Sequence, residues 1–106
     1  MDDFSIELGT DAEGRQVVAP HGEMDLATHT LLLRAIEDLM DAGQVDIVVD
    51  LSHTTFLDST ALGTLISARR RAYARKGSFS IRCTDPRLLR IFEVTSLDKV
   101  FEIRDS

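Results

Sequence analysis

VDIVVDLSHTTFLDSTALGTLI, residues 45–66, is the stretch that decides the fold. Val45, Ile47, Val48, Val49 and Leu51 make a compact, β-branched apolar run. A strand this apolar is normally covered on both faces, as in a sheet with helices attached. Asp58, Ser59 and Thr60 then offer side-chain oxygens that suit a helix N-terminus. Beyond them Leu62, Leu65, Ile66, Ala72 and Tyr73 trace one helix face up to Gly77. The hydrophobic period therefore changes from strand to helix between Leu51 and Leu62.

Working outward from that junction, the upstream chain reads as a hairpin and a helix. Phe4, Ile6 and Leu8 alternate with polar residues, Asp11 to Gly14 supply turn chemistry, and Gln16 to Ala19 resume an extended segment. Pro20 removes a ladder donor, so the second strand is expected to end or bulge there. From Ala27 to Ala42, Leu32, Ala35, Ile36 and Leu39 fall at helical spacing, with Gly43 as the C-terminal cap. Downstream, Phe79, Ile81 and Cys83 alternate, Pro86 opens a short helix through Leu88, Leu89 and Phe92, and Val100, Phe101 and Ile103 make a last strand. The order β-β-α-β-α-β-α-β predicts one α/β domain over residues 1–106. Its sheet is expected to be mixed and largely parallel, with about five strands, an antiparallel entry hairpin and packed helices. In such sheets sites lie where strands end and helices begin, which singles out Leu51 to Leu62.

Charge narrows the function classes. Residues 1–68 hold 13 acids against Arg15 and Arg34, a net −11, whereas residues 69–106 carry +5. The acidic part repels nucleic acid, and no aromatic stacking platform accompanies the basic run Arg69, Arg70, Arg71, Arg75 and Lys76. That run reads as a solvated helix end, where cations complement the dipole, or as a contact for a protein partner. No apolar run approaches the ~18 residues of a spanning helix, and Met1, Asp2 and Asp3 are acidic where a signal peptide is basic. No membrane association and a cytoplasmic location are therefore expected. The single Cys83 reads as a buried strand thiol, with a redox role as the alternative.

Two motifs carry a family resemblance. Asp50 to Gly63, with Asp58-Ser59 heading a helix, resembles the central motif of the STAS family, and Gly22-Glu23-Met24-Asp25 is similar to its Gly-Glu-hydrophobic-Asp motif. Lys76-Gly77 before a strand, and Leu89 to Leu97 before the last one, are also similar. In stand-alone members the Ser after the Asp is phosphorylated by an anti-sigma factor that is also a serine kinase. The resemblance thus implies an anti-sigma factor antagonist with Ser59 as phosphoacceptor and Asp25 and Asp58 as flanking carboxylates. Asp25, Asp58, Ser59, Thr60 and Ala61 are the implied partner-binding residues, and a phosphatase is a further candidate partner. The residues also fit plainer roles: Ser59 or Asp58 as an N-cap, Gly22 as a turn glycine, Asp25 as the cap of the first helix. Many members carry Gly where this chain has Ala61, so close approach by a kinase is expected to feel the methyl group. Relatives often carry a further C-terminal helix, and this chain stops at Ser106, so some surface is expected to be less covered.

Catalysis is not expected. Ser59 lacks a Gly-x-Ser-x-Gly elbow, His21, His29 and His53 sit in no catalytic motif, and there is no Gly-x-x-x-x-Gly-Lys loop or metal-spaced cluster. No cofactor is implied; ATP and magnesium belong to the partner kinase. The remaining alternative is a STAS interaction module outside sigma regulation, in a transporter complex or a signalling scaffold.

Overall fold

The structure, a computed structural model, describes residues 3–105; the acidic start at Met1 and Asp2 and the terminal Ser106 lie outside the described residues. The elements are β1 (Ser5–Thr10), β2 (Gln16–Met24), α1 (His29–Asp41), β3 (Asp46–Asp50), β4 (Thr54–Leu57), α2 (Ser59–Ala74), β5 (Ser78–Arg82), α3 (Pro86–Val94), a 3-10 turn (Leu97–Lys99) and β6 (Glu102–Arg104). The sheet runs β1-β2-β3-β5-β6, with β4 on the far end of β2. Only β1 is antiparallel to its neighbour. The expected mixed, largely parallel sheet with an antiparallel entry hairpin is present, and it has six strands rather than about five.

The additional strand is β4, inside the Leu51 to Leu62 junction. β2 serves two partners in succession: Gln16–Val18 pair with β3, and Gly22–Met24 pair with β4. Pro20 falls between these two sets, where its missing N–H costs no ladder bond to either strand. The strand therefore runs through Pro20 to Met24, and the irregularity lies two residues on, between Gly22 and Glu23. Gly22 has φ +113°, a conformation in which a Cβ is strained, so the bend that redirects β2 rests on this glycine.

The three crossovers from β2 to β3, β3 to β5 and β5 to β6 step the same way across the sheet. Right-handed connections then place α1, α2 and α3 on one face. Between that face and the helices lie Val18, Ile47, Val49, Phe79 and Ile81 from the strands and Leu32, Ile36, Leu65, Ala68 and Phe92 from the helices, all essentially inaccessible. Burial of such side chains contributes roughly 1.5–3 kcal/mol each before the entropic cost of ordering the chain. Tyr73 does not join them. It is 45% exposed and lies under the Arg69 guanidinium, 4.4 Å from ring centroid to Cζ.

The end of α2 divides two tasks between Lys76 and Gly77. Lys76, not Gly77, takes the left-handed conformation (φ 63°), and the Gly77 N–H then closes on the Ala72 carbonyl at 2.8 Å. Gly77 is reserved for a close approach: a Cβ there would stand 2.0 Å from the carbonyl oxygen of Val45.

On the helix-free face, Asp50 at the end of β3 accepts from the Ser52 hydroxyl (2.6 Å) and N–H (3.0 Å) and pairs with Arg82 of β5 (3.3 Å). Burial acts to raise its pKa, but the Ser52 hydrogen bonds and the Arg82 charge outweigh it, and the pKa is lowered. A carboxylate depressed in the folded state stabilises above its unfolded pKa, and the contribution is lost as pH falls through the folded value. Thermal melts between about pH 5 and pH 2 should accordingly show a shallower loss of stability in Asp50→Asn than in wild type. Parallel slopes would mean that Asp50 contributes nothing to acid sensitivity.

Candidate functional site at the head of helix α2

Two chain segments meet at the carboxyl ends of β2 and β4. The Asp58 N–H donates to the Met24 carbonyl at 3.2 Å, and the Gly22 N–H donates to the His53 carbonyl at 3.0 Å. These bonds hold the Gly22–Asp25 segment beside the Asp58–Ser59 helix start, so the two separated motifs form one surface.

Asp58 is the N-cap of α2, with extended backbone and its Oδ1 accepting from the Ala61 N–H at 2.9 Å. Such a cap is worth about 1 kcal/mol. Ser59 is the first helical residue and is exposed; its hydroxyl makes no hydrogen bond among the described residues. Thr60 is half-buried and its carbonyl accepts from the Thr64 hydroxyl at 3.2 Å. The helix head thus supplies a free hydroxyl beside unpaired backbone N–H groups and the positive end of a dipole.

Asp25 is half-buried and already engaged. Its Oδ1 accepts from the N–H groups of Ala27 (2.9 Å) and Thr28 (3.2 Å), and the Thr28 hydroxyl lies 3.2 Å away while donating to the Glu23 carbonyl at 2.6 Å. Asp25 therefore caps the turn leading into α1. A pocket of about 450 Å³ opens beside it, lined by Phe4, Gly22, Glu23, Asp25 and Thr28. Sequence reasoning missed the two exposed apolar side chains flanking this surface, Leu26 (74% exposed) and Phe56 (47%). Their signal was an apolar residue within two positions of a site carboxylate, Leu26 after Asp25 and Phe56 before Asp58.

Ala61, expected at the partner surface, is fully buried and packs in the core. Its methyl group faces the core, and its N–H donates to the Asp58 carboxylate at the helix head. Ala61→Gly should lower stability by about 1 kcal/mol, from helix propensity, and leave the rate of any kinase reaction at Ser59 unchanged. A faster rate, measured with a matched kinase, would restore the access explanation.

None of the three imidazoles hydrogen-bonds Ser59. His29 Nδ1 lies 2.9 Å from the Thr64 hydroxyl, and His21 and His53 stack on each other with centroids 4.4 Å apart. Cys83 is buried, and burial pushes its thiol pKa up, which disfavours the reactive thiolate. Among the described residues no group of three or more His, Cys, Asp or Glu side chains is placed to hold a metal ion. No helix among them is long and apolar enough to cross a membrane.

A largely parallel α/β sheet that brings a Gly-Glu-Met-Asp turn against an Asp-Ser helix head defines a class of small modules with an exposed serine at a strand-to-helix junction. The family described as "Mlab, STAS domain" matches residues 8–104. The chain belongs to the STAS family. It is similar to the anti-sigma-B factor antagonist of Listeria monocytogenes, 29% identical over 84 residues that cover 79% of this chain and 74% of the relative. The anti-sigma-B factor antagonist of Bacillus subtilis is 27% identical over 82 residues, 77% of this chain and 74% of the relative. Among solved structures, an anti-sigma factor antagonist from Mycobacterium paratuberculosis superposes with a TM-score of 0.82 at 27% identity, over 98% of this chain and 87% of the other.

Proposed function

We propose that this chain is an anti-sigma factor antagonist: it binds an anti-sigma factor with serine kinase activity, releases the sigma factor held there, and loses the partner when Ser59 is phosphorylated. The observation that carries the reading is the exposed Ser59 hydroxyl at the head of α2, without a hydrogen bond among the described residues, beside Asp58 and the Gly22–Asp25 turn. The names of the relatives support the anti-sigma factor antagonist part of this reading.

The physics of the switch is local. A phosphate adds about −1.5 to −2 charges and three acceptor oxygens, which the free N–H groups and dipole of a helix N-terminus accommodate. The domain is therefore expected to stay folded. At the partner surface the same charge joins Asp58 and Asp25, so an interface complementary to two carboxylates meets a much more negative one. ATP and magnesium are brought by the partner, and a phosphatase resets Ser59.

The test is partner exchange in a purified system. The unphosphorylated chain should displace sigma factor from the anti-sigma factor on size-exclusion chromatography, and incubation with MgATP should return the sigma factor to it. An unphosphorylated chain that forms no complex would overturn the proposal. A second reading, a STAS module in a transporter complex or a signalling scaffold, is favoured by one observation: the matching family description names Mlab rather than a sigma regulator. Under that reading the partner binds irrespective of Ser59.

A further inference from the structure

The two long flanks of α2 are treated differently by the fold. One faces α1, with Thr64 bonded to His29, Arg71 paired with Glu37, and Arg75 paired with Asp41 at 3.2 Å. The opposite flank, carrying Leu62, Ile66, Arg69 and Tyr73, faces α3, because the next right-handed crossover sets α3 over β5 and β6. Arg87, Ile91 and Val94, at helical spacing on α3, look back toward it. Yet α2 and α3 barely meet, in contrast to the packed α1–α2 pair. The result is a groove with half-buried Ile66 and Ile91 at its base and exposed Tyr73 and Val94 (68%) on its walls.

Its charge is the reverse of the rest of the chain. The Arg69 Nε is buried without a hydrogen-bond partner, while Arg70, Lys76 and Arg90 are exposed and unpaired among the described residues. Arg87 is neutralised locally by Asp85 at 2.9 Å. Glu93 is the one carboxylate within α3, and its position lies on the flank turned away from α2. A chain of net charge −6 thus keeps a cationic, apolar-based groove between two helices.

We propose that this groove docks an acidic amphipathic helical segment of a partner protein, separate from the surface around Ser59. Apolar side chains at i, i+3 and i+4 would seat on Ile66, Ile91 and Val94, and flanking carboxylates would meet Arg69, Arg70 and Arg90, the helix-in-groove mode. The groove's single aromatic ring is already occupied by Arg69, so it leaves no stacking platform for a nucleic-acid base.

The test is fluorescence anisotropy on the full chain with three probes: a helical peptide of Leu and Glu in amphipathic spacing, the same peptide with Lys for Glu, and a short DNA duplex. The Leu-Glu peptide should bind saturably and lose most of its affinity in 0.5 M salt, where the screening length falls to roughly 4 Å. Arg70→Glu, which alters an exposed and unpaired side chain, should weaken it about tenfold with an unchanged melting temperature, and Arg69→Ala should add to the loss. Ser59→Glu, at the other end of α2, should change it by less than about twofold. The proposal fails if the Lys peptide or the duplex binds as well as the Glu peptide, if no probe saturates, or if Arg70→Glu retains wild-type affinity.

Discussion

Ser59→Ala should abolish phosphorylation while leaving affinity for the anti-sigma factor nearly unchanged. The substitution removes one exposed hydroxyl that makes no hydrogen bond among the described residues, and the α2 cap is supplied by Asp58 rather than Ser59. Stability should shift by no more than ~0.5 kcal/mol. Ser59→Glu should weaken binding by about tenfold or more, because a carboxylate beside Asp58 brings one negative charge to a surface built around two. Thr60→Ala should keep the phosphoacceptor, since the half-buried Thr60 side chain is not the group the helix head presents. Phosphopeptide mass spectrometry and calorimetry with the purified partner separate these outcomes. Phosphate at another residue of Ser59→Ala at the wild-type rate, or Ser59→Glu binding as tightly as wild type, would remove Ser59 from the switch.

The largest effect on stability is expected at Gly77. There a side chain meets backbone, not a movable side-chain end: the added Cβ would lie 2.0 Å from the Val45 oxygen and 2.6 Å from its carbonyl carbon. Relief requires prying the entry of β5 from the entry of β3, which also threatens the Ser78 N–H bond to Val45 at 3.1 Å. Gly77→Ala should therefore cost about 2–4 kcal/mol, the range of a rigid steric insertion with a lost hydrogen bond. Urea denaturation would reveal it as a lower midpoint at an unchanged slope. Gly63→Ala is the control: a Cβ there meets nothing within 4 Å and the position is helical, so that variant should be neutral or slightly more stable.

Much of this architecture was legible in the residues. The switch from apolar run to helical period marked β3 and α2, the alternation of Phe79 and Ile81 marked β5, and Pro86 marked the first position of α3. What escaped had physical reasons. β4 spans four residues whose outer two are buried and inner two exposed, so it shows no alternation to read. Leu8 was expected on a half-buried strand face but is 56% exposed, because β1 is an edge strand. Tyr73 fits the helical stripe by spacing and still lies outside the core, since α3 does not close against that flank. At the site, the types and order of Asp25, Asp58, Ser59 and Thr60 could be read, and the structure brings the two motifs together through the Asp58–Met24 and Gly22–His53 bonds. The burial of Ala61 could not be read from a position one turn inside a helix head, where the inward face depends on the helix's rotation about its axis.

The order of β2, β3, β5 and β6 across the sheet is also their order along the chain. No strand has to be inserted between two that are already paired. Each new β-α unit can therefore add to an exposed edge as it leaves the ribosome, at roughly 5–20 residues per second, without undoing earlier pairings. Only the β1-β2 hairpin joins segments close in sequence; each parallel pairing, such as Gln16 with Ile47 or Asp46 with Ser78, spans a whole crossover and carries its loop-closure cost. β4 follows β3 in the chain and pairs with the far end of the strand that β3 also borders, so the serine-bearing junction depends on β2 holding both partners.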